Sequence, residues 1–339
     1  MKASDVRIQA RNVRSLARVN RGSGSSPSEN TRSGNLRRVG ALTRPPRRPL
    51  SCARTGVRRH ARSGVTGATH EAGDARTPFT IMSVAKPFVF ALVCDLVGSA
   101  RVRDFVGVDA TGLPFNSARA VEAGAGGRTN PMVNPGAIAT TSLVPGESLG
   151  RRWTTLAHGL SQFAGRPLEL DEEVLESARA TNVRNRALAL LLADADAIAG
   201  DPLDATELYT RQSCLSVSAV DLAVMGATLA DGGVNPVTGE RVVSADAARG
   251  ALAVMTIAGL YETSGSWLMD VGLPGKSGIG GGIVTVSPGK GALGTFSPPL
   301  DEEGNSVRGR LAAITLSEEL GLDILASRPL VHATEAGTR

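Results

Sequence analysis

The sequence predicts an α/β (α+β) fold in which an all-α subdomain is inserted between sheet-forming segments. Two segments with strand-like alternation near the C-terminal end, GIGGGIVTVSP (278–288) and KGALGTFSP (290–298), indicate an antiparallel hairpin. The middle of the chain carries apolar residues at helical spacing, which places the helical subdomain at about residues 145–255. The 339 residues are 42% hydrophobic but only 3% aromatic, so a core of Ala, Val and Leu is expected.

The remaining elements are justified in chain order. HEAGDARTPFTI (70–81) has the character of the end of a strand pair. Residues 82–98 predict a helix, in which Pro87 is tolerated because it lies in the first turns. Residues 310–325 begin with a strand-like pattern and end as a helix. Apolar spacing predicts further helices in the second part of the loop-to-helix segment 127–144 and at 153–164, 170–199, 217–233 and 244–255.

Charge divides the chain into an acidic body and a basic front. Residues 1–70 hold 15 Arg and one Lys against two acidic residues, although the net charge of the whole chain is only +5. Residues 1–69 are therefore predicted as a separate basic, low-complexity segment. It is a disordered tail, a transit peptide, a nucleic-acid-binding tail or a stretch read in the wrong frame. The folded domain is predicted at 70–325, followed by a tail at 326–339. A nucleic-acid partner is not expected for the acidic body.

Cysteine and histidine usage exclude some classes of protein. Cys52, Cys94 and Cys214 are odd in number and scattered, so they indicate neither a disulfide framework nor a zinc site. The four histidines show no metal-ligand spacing. The apolar run FVFALVC ends at Asp95 and is far too short to cross a bilayer. A cytoplasmic protein with no membrane segment and no bound metal is predicted.

Ser83 and Lys86, in FTIMSVAKPF (79–88), place a hydroxyl and an amine on one helical face. A serine hydroxyl is a weak nucleophile until a base takes its proton, and a desolvated lysine can act as that base. Arginine cannot, because it does not deprotonate in proteins. An S-x-x-K spacing also arises by chance, but only four of the 37 basic residues are lysines. The lysine at position 86 therefore indicates a chemical role.

Two further features have both a chemical and a structural interpretation. The box Lys276-Ser277-Gly278 can line one wall of an S-x-x-K site, or its glycine can belong to an ordinary glycine-rich strand start. Tyr209 and Tyr261 are the only tyrosines of the chain. A phenol can relay protons or bind a polar substrate, but its commoner place is half-buried packing.

Seven segments together resemble one known family, the serine-dependent glutaminases, from about residue 70 to about residue 325. The family shares its core with β-lactamases and penicillin-binding proteins, which implies an antiparallel sheet flanked by helices in a β-lactamase/transpeptidase-like fold. The resemblance is carried, in the order of the family, by FTIMSVAKPF, NPMVNPGAI, RNRALA, LADGGVNPVTGERV, GLYETSG, LPGKSGIGGGI and FSPPLDEEGNSVRG.

The resemblance implies a reaction and a set of residue roles. The reaction is hydrolysis of the linear amide C–N bond of L-glutamine, giving L-glutamate and ammonia through a γ-glutamyl-serine ester without a metal or organic cofactor. Ser83 would be the nucleophile, Lys86 its general base, and Tyr261 the group that passes a proton to ammonia. The resemblance places the following groups around the substrate: Asn134, Asn185, Tyr209 and the backbone N–H groups of Ser83 and Ile279, with Lys276 supporting the strand side. A dimer or tetramer is implied.

The chain also departs from the family pattern. Ala178 occupies the position of a glutamate that pairs with the substrate ammonium, and Asn182-Val183 replaces a Gly-Asp pair. Loss of a carboxylate opposite a buried ammonium costs roughly 3–5 kcal/mol. No tyrosine precedes Tyr209, and only 70–81 resembles the two strands that the family forms before the nucleophile. Two alternatives to a working glutaminase follow: a catalytically impaired or pseudogene-like homologue, and a Ser–Lys amidase with altered amine recognition.

Overall fold

The computed structural model describes residues 59–327. Predictions on the basic segment up to residue 58, on Cys52 and on residues 328–339 lie outside the described residues. The described strands are β1 (Arg59–Gly64), β2 (Thr69–Ala72), β3 (Phe79–Thr80), β4 (Ser216–Val217), β5 (Gly275–Ser277), β6 (Gly282–Ser287) and β7 (Gly291–Phe296). The described helices are α1 (Lys86–Val97), α2 (Ser99–Val106), α3 (Arg119–Ala123), α4 (Asn134–Ser142), α5 (Leu149–Ala164), α6 (Glu172–Thr181), α7 (Val183–Asp194), α8 (Pro202–Ser213), α9 (Ala219–Ala230), α10 (Ala245–Ala258), α11 (Ser264–Val271) and α12 (Val307–Glu319).

Five strands form one antiparallel sheet in the order β2-β1-β7-β6-β5. Strands β6 and β7 pair with Val284 opposite Gly294, which confirms the predicted hairpin. Strand β1 adds to the other side of β7, with Ala61 opposite the same glycine. The sheet is thus built from both ends of the described chain, with helices α1 to α11 between them and α12 after them. The predicted fold class is confirmed.

Gly294 marks the closest approach of a helix to the sheet. A Cβ atom at this position would lie 2.1 Å from the carbonyl oxygen of Ala219 and 2.7 Å from the backbone nitrogen of Ala223. On the helix side, a Cβ atom at Gly226 would lie 2.6 Å from the Cβ atom of Ala292. The two glycines therefore let α9 pack directly on β1, β6 and β7.

The helical insertion begins and ends at a small second sheet. Strands β3 and β4 pair with Phe79 opposite Val217, so the two ends of the insertion meet there. Helix α1 lies in the main hydrophobic core and is buried continuously from Lys86 to Cys94. The predicted subdomain of about 145–255 also takes in α9, which packs on the sheet and belongs to its helical layer.

The domain start predicted at residue 70 is too late. Strand β1 lies inside the sheet between β2 and β7, so residues 59–69 belong to the fold rather than to the basic segment. Strands β1 and β2 are the two strands that the family forms before the nucleophile. The sequence had predicted only the end of this pair, at residues 70–81. The strand gives little sequence signal because the side chains it buries, Ala61 and Ser63, are small, while Arg62 between them is partly exposed.

The single helix predicted at 170–199 is two helices. Asn182 separates α6 from α7 with a backbone conformation (φ −82°, ψ 28°) outside the helical region. Asparagine favours such positions because its side chain competes for backbone hydrogen bonds. Helix α7 then ends at Asp194, and Asp196 has a positive φ of 54°.

The strand predicted at the start of 310–325 is also wrong, because helix α12 already begins at Val307. The Ser306 side chain caps this helix by accepting a hydrogen bond from the backbone N–H of Gly309. The buried face consists of Gly309, Ala313 and Ser317 at helical spacing. These residues are too small or too polar to show an apolar stripe, whereas the run LAAIT resembles a strand.

The sequence patterns did not predict helices α2, α3, α8 and α11. Helix α8 had a sequence signal, since Asp201 caps it by accepting from the backbone N–H groups of Leu203 and Asp204, and Pro202 occupies its first position. Cys94 and Cys214 are free and buried. Within residues 59–327, no helix combines the length and the apolarity that a membrane span needs.

Candidate active site

Ser83 lies in a 3₁₀ turn, Met82–Ala85, which leads directly into α1. The residue before it, Met82, has a positive φ of 49°, a conformation that a non-glycine residue adopts only when its surroundings impose it. The turn between β5 and β6 packs against it. A Cβ atom at Gly278 would lie 3.2 Å from the carbonyl oxygen of Ile81 and 3.3 Å from the backbone nitrogen of Ser83. The serine is therefore held between a strained turn and the edge of the sheet.

Lys86 is buried at the start of α1, with 2% of its surface exposed. Its Nζ atom donates to Asn134 Oδ1 at 2.8 Å and to the carbonyl oxygen of Met132 at 3.2 Å. Burial lowers the pKa of this amine from 10.5 to about 7. A neutral amine has two N–H bonds and one lone pair, so these two acceptors can take both N–H bonds and leave the lone pair for a proton.

The phenols of Tyr209 and Tyr261 approach the same place. A hydrogen bond with the Ser83 side chain acts on both phenols and partly offsets the effect of their burial. Burial still raises the pKa of Tyr261 to about 12 and raises that of Tyr209 above its ordinary value. The Tyr209 hydroxyl also donates to Asn134 Oδ1 at 3.1 Å. Tyr261, like Met82, has a positive φ, of 57°.

Lys276 is fully buried on β5, behind Tyr261. Its Nζ atom donates to the carbonyl oxygens of Gly259 at 2.8 Å and Ser277 at 2.7 Å, and lies 3.9 Å from the centroid of the Tyr261 ring. Burial, followed by the charge of Lys86, holds the pKa of this amine well below its ordinary value. Lys276 therefore fixes two backbone carbonyls and one face of the phenol.

Asn134 and Asn185 bring three helices together at the site. Asn134 is the first residue of α4, and its Nδ2 atom donates to Asn185 Oδ1 on α7 at 3.0 Å. With Tyr209 on α8 bonded to the same asparagine, a polar wall forms opposite the sheet edge. The structure thus brings Ser83 and Lys86 together with these three predicted pocket residues.

Ile279 and Ala178 are placed less directly. Ile279 lies in the β5–β6 turn next to Gly278 and is 47% exposed. Ala178 is half-buried on α6 and offers no polar side-chain group. Its neighbour Arg179 forms an ion pair with Glu207, which also binds Arg211 at 2.7 Å. Two arginines thus neutralise Glu207, which is not a free counter-charge for an ammonium group.

Some groups of this site were missed by the sequence. Phe115 packs its ring 4.7 Å from that of Tyr261, and Met132 contributes only its backbone carbonyl to Lys86. Neither contact has a local sequence signal. Asn182 donates to Thr210 Oγ1 at 2.6 Å and accepts from Asn185 Nδ2 at 2.6 Å. Its only signal was its departure from the family pattern.

A cavity of about 510 Å³ lies apart from these residues, between the end of α2, the following loop and α3. Its lining includes Arg103, Asp109 and Arg128 but none of the predicted site residues. In the part of the chain from 59 to 327, no three His, Cys, Asp or Glu side chains are grouped as metal ligands.

An antiparallel sheet with a helical insertion, and a buried lysine one turn after a serine, are together features of the β-lactamase-like class of proteins. The comparison of the sequence with known families narrows this class. The chain belongs to the glutaminase family, whose family model, described as Glutaminase, matches residues 60–325.

Individual relatives agree with this assignment. "Glutaminase 2" of Yersinia pestis is 62% identical over 266 residues, which cover 78% of each chain. A glutaminase of Brucella canis is 50% identical over 267 residues, covering 79% of this chain and 84% of the relative. Among solved structures, a probable glutaminase, ybaS, superposes with a TM-score of 0.78 at 43% identity, covering 82% of this chain and 91% of that one. A Bacillus glutaminase gives a TM-score of 0.76 at 32% identity, covering 79% and 92%.

Proposed function

We propose that this chain hydrolyses L-glutamine to L-glutamate and ammonia, with Ser83 as the acylated nucleophile and Lys86 as its base. The observation that carries the proposal is the environment of the Lys86 amine. It is buried, its pKa is near 7, and its two hydrogen-bond acceptors leave one lone pair for the serine proton. Membership of the glutaminase family supplies the reaction, an attack on the amide C–N bond of glutamine.

In the acylation step, the Ser83 oxygen bonds to the side-chain amide carbon of glutamine while its proton passes to Lys86. The negative charge that develops on the amide oxygen is stabilised by the backbone N–H groups of Ser83 and Ile279. When the C–N bond breaks, the Tyr261 hydroxyl gives a proton to the departing nitrogen and is reprotonated from Lys86. Ammonia leaves, and a γ-glutamyl ester of Ser83 is formed.

In the deacylation step, water attacks the ester carbon and gives its proton to the same base. The C–O bond to Ser83 then breaks, and the serine oxygen recovers a proton as glutamate is released. Both steps use one site and need a Lys86 that is neutral before each attack. Asn134 is proposed to bind the α-carboxylate region of the substrate, and Asn185 and Tyr209 are proposed to line the pocket beside it.

The two alternatives differ from a working glutaminase in how the site recognises the α-ammonium group of the substrate. Ala178 cannot pair with an ammonium group, and Glu207 is already bound by Arg179 and Arg211. If the site has lost amine recognition, it would accept γ-amides that lack the amine, as expected for a Ser–Lys amidase. If it is impaired, neither substrate would react at Ser83.

One experiment tests the proposal against both alternatives. The purified chain is incubated with L-glutamine or with glutaramate, its analogue without the α-amine, and ammonia release is measured. Rapid acid quenching followed by peptide mass spectrometry then locates the acyl group. Faster turnover of glutamine with a γ-glutamyl adduct on Ser83 supports the proposal. Preference for glutaramate supports the amidase, and absence of any adduct and of ammonia supports the impaired homologue.

A homo-oligomer is also proposed, because the family resemblance implies a dimer or tetramer, and large apolar side chains exposed on the described surface are consistent with it. Met269 on α11 is 89% exposed, Val183 on α7 69% and Leu311 on α12 59%. Such side chains cost free energy in water, which a second copy would recover by covering them. Sedimentation velocity should give the mass of a dimer or tetramer, and a monomer at micromolar concentration would contradict the proposal.

A cytoplasmic location stays a prediction of the sequence, tested by cell fractionation.

A further inference from the structure

A chain of side-chain hydrogen bonds runs from helix α8 to the Lys86 amine, and its direction is fixed at one end. The Thr210 hydroxyl donates its single proton to the carbonyl oxygen of Thr206 at 2.7 Å. Since a hydroxyl has one proton, Thr210 can only accept from its other neighbour. That neighbour is Asn182, whose Nδ2 atom lies 2.6 Å from the Thr210 oxygen.

The direction then passes through three amides in turn. With its NH₂ group on Thr210, Asn182 must present its oxygen to Asn185, whose Nδ2 atom donates to it at 2.6 Å. Asn185 in turn presents its oxygen to Asn134, whose Nδ2 atom donates to it at 3.0 Å. An amide has its oxygen and its NH₂ group on opposite sides, so each asparagine sets the orientation of the next.

The last amide in the series is the one that meets the proposed base. With its NH₂ group held by Asn185, Asn134 turns its oxygen toward Lys86 and accepts from its Nζ atom at 2.8 Å. We propose that Asn182 and Thr210 are positioning residues for the reaction, because they hold Asn134 in the orientation that leaves the lone pair of Lys86 free for Ser83. This inference rests on the proposed function, since it concerns the base of that reaction.

The opposite orientation of Asn134 would change the chemistry. Its NH₂ group would face Lys86 and donate to the lone pair, which would then be occupied. The same NH₂ group would repel the ammonium form, so the neutral form would be favoured at lower pH, although with a poorer base. Among the described residues, the other titratable groups facing this amine are the phenols of Tyr209 and Tyr261, with ring centroids 5.9 and 5.7 Å from Nζ, and the amine of Lys276.

This series can be tested because Asn182 and Thr210 lie away from the reacting atoms and can be substituted without altering those atoms. Asn182 is partly exposed between two helices, so Asn182→Ala removes both of its hydrogen bonds without opening the core. Thr210→Val removes the acceptor with little change in shape. Thr206→Val is the matched control, because Thr206 is buried on the same helix and its hydroxyl donates to the carbonyl oxygen of Pro202 at 2.8 Å, outside the series.

The measurement is kcat/KM for glutamine between pH 5 and 9 with each variant. Asn182→Ala and Thr210→Val are expected to lower the maximum roughly tenfold, a part of the ~10²–10⁴-fold that a positioned base supplies. Their acidic midpoint should move to lower pH. Thr206→Val should keep the midpoint of the unmodified chain, and so should Thr210→Ser, which retains the hydroxyl.

The outcomes separate this inference from the function on which it rests. Equal pH profiles for Thr210→Val, Asn182→Ala and Thr206→Val would overturn the inference while leaving the function intact. A lower maximum without a shifted midpoint would also overturn it, because that result indicates a general structural defect. If the unmodified chain shows no ammonia release that depends on Ser83, the proposed function fails, and this inference fails with it.

Discussion

Ser83→Ala is expected to lower glutamine hydrolysis at least about 10³-fold, because water then has to attack the amide without a covalent intermediate. The fold should tolerate the change. Ser83 lies in a short turn whose close packing against Gly278 involves backbone atoms, and alanine removes only one oxygen. The decrease should appear in kcat, measured as ammonia release. The midpoint of unfolding, followed by circular dichroism, should stay close to that of the unmodified chain.

Ser63→Ala is the matched control for this prediction. Ser63 is a buried serine on β1 whose hydroxyl has no hydrogen-bond partner in the structure, so its removal should leave kcat unchanged. Ammonia release by Ser83→Ala within tenfold of the unmodified chain would contradict the serine mechanism. Loss of the γ-glutamyl adduct in the same variant would show that the lost step is acylation.

Lys86→Met is expected to have an effect of similar size, since it removes the base and keeps an unbranched apolar side chain of similar length. The acceptors on Asn134 and Met132 lose their donor, so some stability is lost with activity. Lys86→Arg should be equally inactive although it keeps a positive charge, because arginine does not release a proton at these pH values. Lys290→Met, at an exposed lysine, is the control.

The lowered pKa of Lys86 also predicts the direction in which activity and stability change with pH. Burial holds the pKa of Lys86 near 7, and the neutral amine is the active form, so kcat/KM should rise as the pH increases through about 7. Stability should follow the same direction. Between pH 7 and 10.5 the unfolded chain binds a proton at this lysine that the folded chain does not, so this group makes folding more favourable as the pH rises. The activity dependence should disappear in Lys86→Met, whereas the stability dependence should only weaken, because the buried Lys276 also has a lowered pKa and contributes in the same direction. An unchanged activity profile would exclude Lys86 as the base.

The sequence predicted the parts of the site that depend on local spacing. Ser83 and Lys86 lie three residues apart, and helix geometry alone brings such residues to one face. The β6–β7 hairpin follows equally from a short alternating pattern. By contrast, Asn134, Asn185 and Tyr209 come from three separate helices. Only the resemblance to a family pointed to them, because no local pattern records which helices meet.

The errors at β1 and α12 have a common physical cause, which is that small and polar side chains were buried where apolar ones were expected. Strand β1 buries Ala61 and Ser63, and helix α12 buries Gly309 and Ser317. The close approach of α9 to the sheet, which depends on Gly294, likewise has no apolar signature. In a protein with so few aromatic residues, close backbone approach replaces large side chains, and patterns based on hydrophobicity lose their power.

The two-stranded sheet of β3 and β4 has a consequence for the order in which the site can form. The turn that carries Ser83 follows β3 directly, and Ile81 donates its N–H to the carbonyl oxygen of Leu215 just before β4. Ile81, which precedes this turn, is therefore hydrogen-bonded to the C-terminal end of the helical insertion. The entropy of closing that long loop must be overcome before the serine acquires its neighbours. Nucleophile and base lie three residues apart in the chain, yet their arrangement depends on a contact with a residue that is far away in the sequence.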